Sequence, residues 1–309
     1  MPSPIPAFVN PESGSAEAAR AVLRDDARFV LREVGPTELA GAVRAAVDGG
    51  APRVLVSGGD GTLASVADAL LGTRGALAVL PGGTLNHFAR DLGLPRDDLP
   101  ACVELAATGT ARAVDVGTVN GRVFLNTSSV GAYVSFVRLR ERVEPWLGYM
   151  LASVVAAFRI WLGVNGFDVV VADGEERRRY HTPLLYVGVG ERAMDRRELG
   201  ARVPGGERAL HVFVVRDTTR SRLLARALMT LAGGAHRLSE AGGLEARFAP
   251  DFTAVMRRPW GTVAIDGELV RLRAPLEYRY LPAALRVVAP DATVAAEDAA
   301  PAATAAVTT

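Results

Sequence analysis

Two glycine-rich stretches hold the residues best suited to chemistry. "SGGDGT" covers Ser57–Thr62 and "PGGTLN" covers Pro81–Asn86. In the first, Gly58, Gly59 and Gly61 permit backbone conformations closed to other residues and let a ligand come close to the main chain. The helix expected next offers unpaired N–H groups and the positive end of its dipole, a setting that suits phosphate. Asp60 alone would repel a phosphate. Its presence makes sense through Mg²⁺, which takes carboxylate and phosphate oxygens together. Thr62 is placed to cap the helix or to bond a phosphate. The plain alternative for this stretch is a tight strand-to-helix turn with Asp60 as its cap. In the second stretch Gly82 and Gly83 repeat the open backbone, while Thr84 and Asn86 add neutral hydrogen-bonding groups. Two such loops at neighbouring strand ends make a nucleotide cleft with a floor for a pyrophosphate.

The chain contains no lysine, so all 35 basic residues are arginine. A phosphate loop ending in Gly-Lys-Ser/Thr is therefore excluded, as are the protein-kinase strand lysine and Schiff-base chemistry. At 309 residues, two domains are the better expectation. A net charge of +1 argues against a dedicated nucleic-acid binder. The single cysteine, Cys102, reads as core filler and fits a reducing compartment. The four histidines (His87, His181, His211, His236) show no metal-ligand spacing. No charged-then-apolar leader pattern opens the chain, so a cytoplasmic location is expected.

The elements that must position the loops follow from hydrophobic spacing. Up to about residue 110, short apolar runs alternate with amphipathic segments, which implies βαβ units and a parallel sheet. "NPESG", "SGGDGT" and "PGGTLN" follow the first, third and fourth strands, and ligands in such sheets bind at the carboxyl ends of strands. Beyond residue 110, turn dipeptides at Asn120-Gly121 and Asp173-Gly174 separate alternating runs, the signature of hairpins. The second half therefore reads as an antiparallel β domain with helical insertions, one of them near Arg220–Leu231. The final apolar run, "ALRVVA", is expected to return to the first domain. The implied division is a nucleotide-binding α/β domain over 1–118, with 283–289 returning to it, a β-rich domain over 119–282, and a disordered Ala/Thr-rich tail over 291–309. "WLGYMLASVVAAFRIWLGV", Trp146–Val164, is nearly long enough to span a bilayer. Arg159, Gly148 and Gly163 argue instead for a buried or lipid-contacting helix.

"NPESG", "SGGDGT", "PGGTLNHFARDLGLP", "VDVGTVNGRVFLNTSSVGAY" and "WGTVAIDGE" together resemble the diacylglycerol kinase catalytic-domain family, which includes bacterial lipid kinases and sphingosine kinases. The likeness runs through most of residues 5–288. It implies an α/β fold with an NAD-kinase-like nucleotide-binding domain and a β-rich second domain bearing lipid-site elements. It also implies ATP, Mg²⁺ and phosphoryl transfer to a lipid hydroxyl, with peripheral contact at a membrane surface. Under the resemblance, Asn10, Ser13 and Gly14 sit near the nucleotide. Gly58, Gly59, Asp60, Gly61 and Thr62 hold phosphates and metal, and Gly83, Thr84 and Asn86 contact ATP. Asp266 in "DGE" matches the family's proton acceptor, with Glu268 beside it. Asp115 matches an acid that helps organise metal-bound water.

The residues around Asp266 also read as a plain hairpin turn between "TVAI" and "LVRLR", and a turn can present the acid. Departures from the family pattern occur at Ala64-Ser65, at His87, which reads as a satisfied surface histidine, and at Glu207-Arg208, where a second metal site would stand. An NAD-kinase-like enzyme or an inactive lipid- or nucleotide-binding member remain the alternatives. The lipid's identity and the oligomeric state are not legible.

Overall fold

The computed structural model describes residues 3–132, 134, 135, 137–139, 142, 146, 166–194, 200–216 and 243–290. The first half alternates as the spacing predicts: β1 (Ile5–Val9), α1 (Ala16–Leu23), β2 (Phe29–Glu33), α2 (Leu39–Asp48), β3 (Arg53–Gly58), α3 (Asp60–Leu70) and β4 (Ala76–Pro81). Helix α1 buries Ala16, Ala19 and Leu23, one helical stripe, and carries Glu17 in its first turn and Arg20 in its last, each matched to the helix dipole. Strands β3 and β4 are apolar along almost their whole length because helices cover both faces of a parallel sheet. The short α4 (His87–Asp91) and then α5 (Leu99–Thr108) follow; Asp98 caps α5 by accepting a hydrogen bond from the Ala101 N–H at 3.0 Å.

The remaining strands are β5 (Ala111–Val119), β6 (Arg122–Phe124), β7 (Thr127–Gly131), β8 (Phe167–Asp173), β9 (Glu176–Thr182), β10 (Leu184–Val189), β11 (Leu210–Val215), β12 (Leu244–Ala249), β13 (Asp251–Met256), β14 (Trp260–Ile265), β15 (Glu268–Arg273) and β16 (Leu276–Val288). They form two sheets. The first runs β2-β1-β3-β4-β16-β13-β8-β9, with β5 and β6 attached to β16; the second runs β12-β11-β10-β7-β14-β15. The second sheet is antiparallel throughout.

Strand β16 joins the two styles of pairing. Arg286 and Val287 pair in parallel with Ala76 and Leu77 of β4, while Leu276–Arg279 pair antiparallel with β13. The sequence separates "LEYRYL" from "ALRVVA", but the two runs form one strand with a bulge between Leu281 and Leu285. Pro282 and the positive φ of Ala283 (50°) lie in that bulge, so the break in pairing bends the strand without ending it.

Two apolar cores result. One gathers β1–β4, their helices and the end of β16, around Phe8, Leu55, Leu63, Leu77 and Leu285. The other lies between the sheets, where Val169, Val171, Phe252 and Tyr278 of the first face Val130, Leu185, Val187 and Val263 of the second. Phe252 and Tyr278 stack there at 4.6 Å. No helix among the described residues is long and apolar enough to cross a membrane. Of the apolar stretch Trp146–Val164 only Trp146 is described. The expected helix near Arg220–Leu231 and the tail from Asp291 lie outside the described residues.

Candidate active site

The carboxyl ends of β3 and β4 are adjacent, and their two loops press together backbone to backbone. A Cβ on Gly59 would stand 3.1 Å from the Gly83 Cα, and one on Gly83 only 2.7 Å from the Gly59 Cα. Real Cβ contacts are essentially never that short, so the approach requires glycine at position 83. A Cβ on Gly82 would overlap the Ser15 hydroxyl. Ser15 lies 3.3 Å from the Ser13 hydroxyl, which brings the loop after β1 against the same floor.

Polar side chains fix the shape of the second loop. Asn86, in the left-handed region at φ 49°, accepts from the Gly83 N–H at 2.8 Å and donates to the Gly83 carbonyl at 2.7 Å. Asp60 accepts from the His87 N–H at 3.0 Å and the Phe88 N–H at 2.9 Å. It therefore clamps the start of α4 onto the start of α3, each bond to its charge being worth about 1.5–3 kcal/mol. Each of its oxygens accepts one of these bonds and keeps a further acceptor position. Asp60 thus caps the helix of the other loop.

Facing these loops is the β14–β15 turn. Asp266 (φ 46°) and Gly267 (φ 91°) both occupy the left-handed region, the geometry of a tight hairpin turn. The Asp266 Oδ2 accepts from the Leu125 N–H at 2.7 Å, and Oδ1 accepts from the N–H groups of Asn126 and Thr127 at 2.8 and 2.9 Å. Burial pushes its pKa up to about 6; the three backbone donors pull the other way, and the nearby charge of Asp60 adds to the rise. Glu268 reaches across to α3, where a Cβ on Gly61 would overlap its carboxylate.

A cleft of about 410 Å³ lies between these parts. Gly59, Asp60, Gly61, Thr62, Gly83, Thr84, Asp266 and Glu268 all line it. Its donor set suits an Mg²⁺ that arrives with phosphate oxygens, because such an ion uses only one or two carboxylates and completes its shell with phosphate and water. The described residues form no cage of three or more ligands that would hold a cation unaided. Asp60 supplies the carboxylate best placed beside the glycine backbones.

Other expected residues lie elsewhere. Asn10, Ser13 and Gly14 flank the loops and do not line the cleft; the Asn10 Oδ1 accepts from the Glu12 N–H at 3.0 Å. Gly58 and Asn86 shape the loops from behind. Asp115 is buried away from the cleft. Its oxygens accept from Arg202 at 2.8 Å, Arg208 at 2.7 Å, the Ala283 N–H at 2.8 Å and the Tyr280 hydroxyl. Burial alone would raise its pKa; the Arg208 and Tyr280 hydrogen bonds and the remaining donors hold it below the ordinary carboxylate range. Guanidinium groups occupy the positions a cation would need, so a metal-organising role does not fit this surrounding. Arg208, read as a departure, is one of the two ion-pair partners.

His87 corrects the reading of it as a surface histidine. It is half-buried on the cleft wall, because the Asp60 clamp turns α4 inward, and burial lowers its pKa against the pull of Asp60. Three further wall residues escaped the sequence reading. Arg90 and Arg192 line the wall and share the one carboxylate of Asp91, in a chain with no lysine. Asn126 is 3% exposed, and neither its Oδ1 nor its Nδ2 has a partner. Its only sequence signal is its place in "VFLNTSSVG". The hydrogen-bonding void becomes visible once β6 and β7 are placed against Asp266.

By its architecture the chain is an α/β protein of the NAD-kinase-like kind, with a parallel sheet that continues into an antiparallel sandwich. Residues 4–119 match the family model of the diacylglycerol kinase catalytic domain. A "Diacylglycerol kinase" of Mycobacterium tuberculosis is 27% identical over 93% of this chain and 95% of its own length. A "Diacylglycerol kinase" of Bacillus subtilis (strain 168) is 42% identical over 80 residues, 25% of this chain and 26% of the relative. A solved structure from Bacillus anthracis str. Sterne, ascribed to the diacylglycerol kinases, is 23% identical, covers 94% of this chain and 96% of its own, and superposes with a TM-score of 0.71. The kinship supports a lipid kinase.

Proposed function

We propose that the chain transfers the γ-phosphate of ATP to the hydroxyl of a lipid alcohol, diacylglycerol being the acceptor that the relatives' names print. The observation that carries this reading is the convergence of Asp266 with the paired glycine loops on one cleft, although 183 positions separate it from Gly83 (266 − 83). The core of β1–β4 forms the nucleotide lobe, and the core between the sheets forms the acceptor lobe.

The chain's residues divide the work. The backbones of Gly59, Gly61 and Gly83 lie against the phosphates, with Thr62 and Thr84 offering hydroxyls. Asp60 holds Mg²⁺, which neutralises phosphate charge when bound. Arg90 and Arg192 share the single carboxylate of Asp91, so the pair leaves one net positive charge at the wall to face the phosphates. Asp266 takes the proton of the acceptor hydroxyl as its oxygen bonds to the γ-phosphorus, while the bond to the β–γ bridging oxygen breaks and ADP leaves. Of its two oxygens, Oδ2 accepts a single protein hydrogen bond and keeps capacity for that proton. A pKa near 6 leaves the group ionised at neutral pH yet more basic than an ordinary aspartate. The Asn126 side-chain amide, beside it and without a protein partner, holds the acceptor hydroxyl in line.

Asp266→Asn tests the assignment. Turnover of dispersed diacylglycerol should fall about 10²–10⁴-fold, the usual worth of a positioned general base, while ATP affinity measured calorimetrically stays unchanged. Undiminished turnover would reject the role.

A further inference from the structure

The end of the β14–β15 hairpin opposite Asp266 carries a different chemistry. Trp260 pairs with Arg273, and Thr262 with Arg271, so these four side chains share one face of the second sheet. Trp260 is 48% exposed, and the Arg271 guanidinium lies 5.4 Å from its ring centroid. The loop into Trp260 adds the exposed Arg257, Arg258 and Pro259. Residues 252–265 and 269–276 contain no Asp or Glu. None of the four arginines is paired with a described carboxylate. Elsewhere arginines are neutralised, as Arg178 is by Glu176 and Glu245.

Arg138 donates to the Thr262 hydroxyl at 3.3 Å, tying the residues after β7 to the same hairpin. Eight positions further on, Trp146 is 87% exposed, and the nineteen-residue run that it opens has one charge, Arg159.

We propose that the Arg257–Trp260 loop with Arg271 and Arg273 docks on an anionic phospholipid surface. This rests on the reading that the acceptor is a bilayer lipid. An indole ring with apolar body and polar edge settles at the headgroup level, and the arginines pair with lipid phosphates and draw the face to negative charge. A chain of net charge +1 gains no general attraction to polyanions, so the cluster must act locally. The same hairpin bears Asp266 at its other end, so docking holds the acceptor lobe to the surface from which the substrate comes.

The test is co-sedimentation of the full chain, without nucleotide, with vesicles of phosphatidylcholine alone or with phosphatidylglycerol added. Binding should require the anionic lipid. It should fall about fivefold for each arginine removed near the surface, hence at least about twentyfold in Arg257→Glu/Arg258→Glu/Trp260→Ala, and should fall measurably in Trp260→Ala alone. Arg177→Glu/Arg179→Glu on β9 makes the same charge change elsewhere and should bind as the parent does. Equal loss in that control, equal binding to neutral vesicles, or loss of RNA binding in place of vesicle binding would overturn the proposal. Turnover of detergent-dispersed diacylglycerol separates the two readings. Its absence in the parent chain defeats the kinase assignment, whereas intact turnover with unchanged vesicle binding in the loop variants defeats the docking face alone.

Discussion

Arg192, at the exit of β10, and Asp91, the last residue of α4, form an ion pair with side chains only 2% and 7% exposed. The pair joins the second loop of the nucleotide lobe to the sheet of the acceptor lobe. Arg192 also donates to the Val189 carbonyl at 2.7 Å, and its own N–H donates to the His211 Nδ1 at 3.1 Å. His211 is held between Phe213 and Phe248, and burial pushes its pKa down to about 4, so it stays a neutral acceptor. Removing one partner of a buried pair strands the other charge and costs about 3–5 kcal/mol, whereas replacing both with apolar groups is often nearly neutral. Asp91→Asn should therefore lower the urea unfolding midpoint strongly, and Asp91→Leu/Arg192→Met should restore most of it. A midpoint unmoved by Asp91→Asn would show that the pair does not bind the lobes together.

The contact between Gly59 and Gly83 makes the loop floor intolerant of a methyl group. Gly83→Ala should weaken ATP binding by about tenfold or more, since a clash of backbone with Cβ costs about 1–3 kcal/mol of overpacking. Gly41→Ala serves as the control. It lies within α2 with no heavy atom within 4 Å of the added Cβ, so it should bind ATP normally and gain up to about 1 kcal/mol of stability. Calorimetric titration with denaturant melts checks both outcomes.

Asp266 gives stability a defined pH signature. Its folded pKa of about 6 stands above the ordinary 3.8. Between those values the unfolded chain has released the proton and the folded chain still holds it. The contribution to stability is therefore full below about pH 4 and is lost as pH rises through 6. Asp115 acts in the other direction: its folded pKa is lowered, so its stabilisation is present at neutral pH and is lost as pH falls through that lowered value. Asp266→Asn should flatten the slope of unfolding free energy between pH 4 and 6. In the parent chain, kcat/KM should rise about tenfold per pH unit below 6 and level off above it. A profile flat through pH 6 would remove Asp266 from the proton-transfer step.

Asn126 separates function from stability. An unsatisfied buried amide costs about 1–3 kcal/mol, so Asn126→Ala should fold at least as stably as the parent. If the amide holds the acceptor, the same variant should raise KM for the lipid or lower kcat while leaving ATP affinity intact. Loss of stability together with unchanged kinetics would make Asn126 a structural residue.

Local chemistry decided what could be read in advance. The hairpin turns at Asn120-Gly121, Asp173-Gly174 and Asp266-Gly267 were legible because each dipeptide suits φ above zero, and Asn120 at 48° and Gly121 at 78° adopt it. The two glycine loops were legible because close backbone approach demands that residue type. Asn126, Arg192 and the inward turn of His87 were not. Each depends on a partner brought by long-range register or by a neighbouring loop: Asp266 for Asn126, Asp91 and His211 for Arg192, Asp60 for His87. Asp115 stood out as an acid, but Arg202, Arg208, Tyr280 and Ala283 reach it from at least 87 positions away in sequence. The joining of both sheet halves through β16 was hidden by Pro282, which reads as a strand break and proves to be a bulge.

The central claim is phosphoryl transfer from ATP to a lipid hydroxyl at the cleft shared by Gly59, Gly83 and Asp266. Purified chain incubated with ATP labelled at the γ-phosphate, Mg²⁺ and detergent-dispersed diacylglycerol tests it most directly. The account predicts label in an organic-soluble phosphate monoester, lost in Asp60→Ala and Asp266→Asn. Label appearing instead in NADP from added NAD, or none in any lipid while ATP binds, would contradict it.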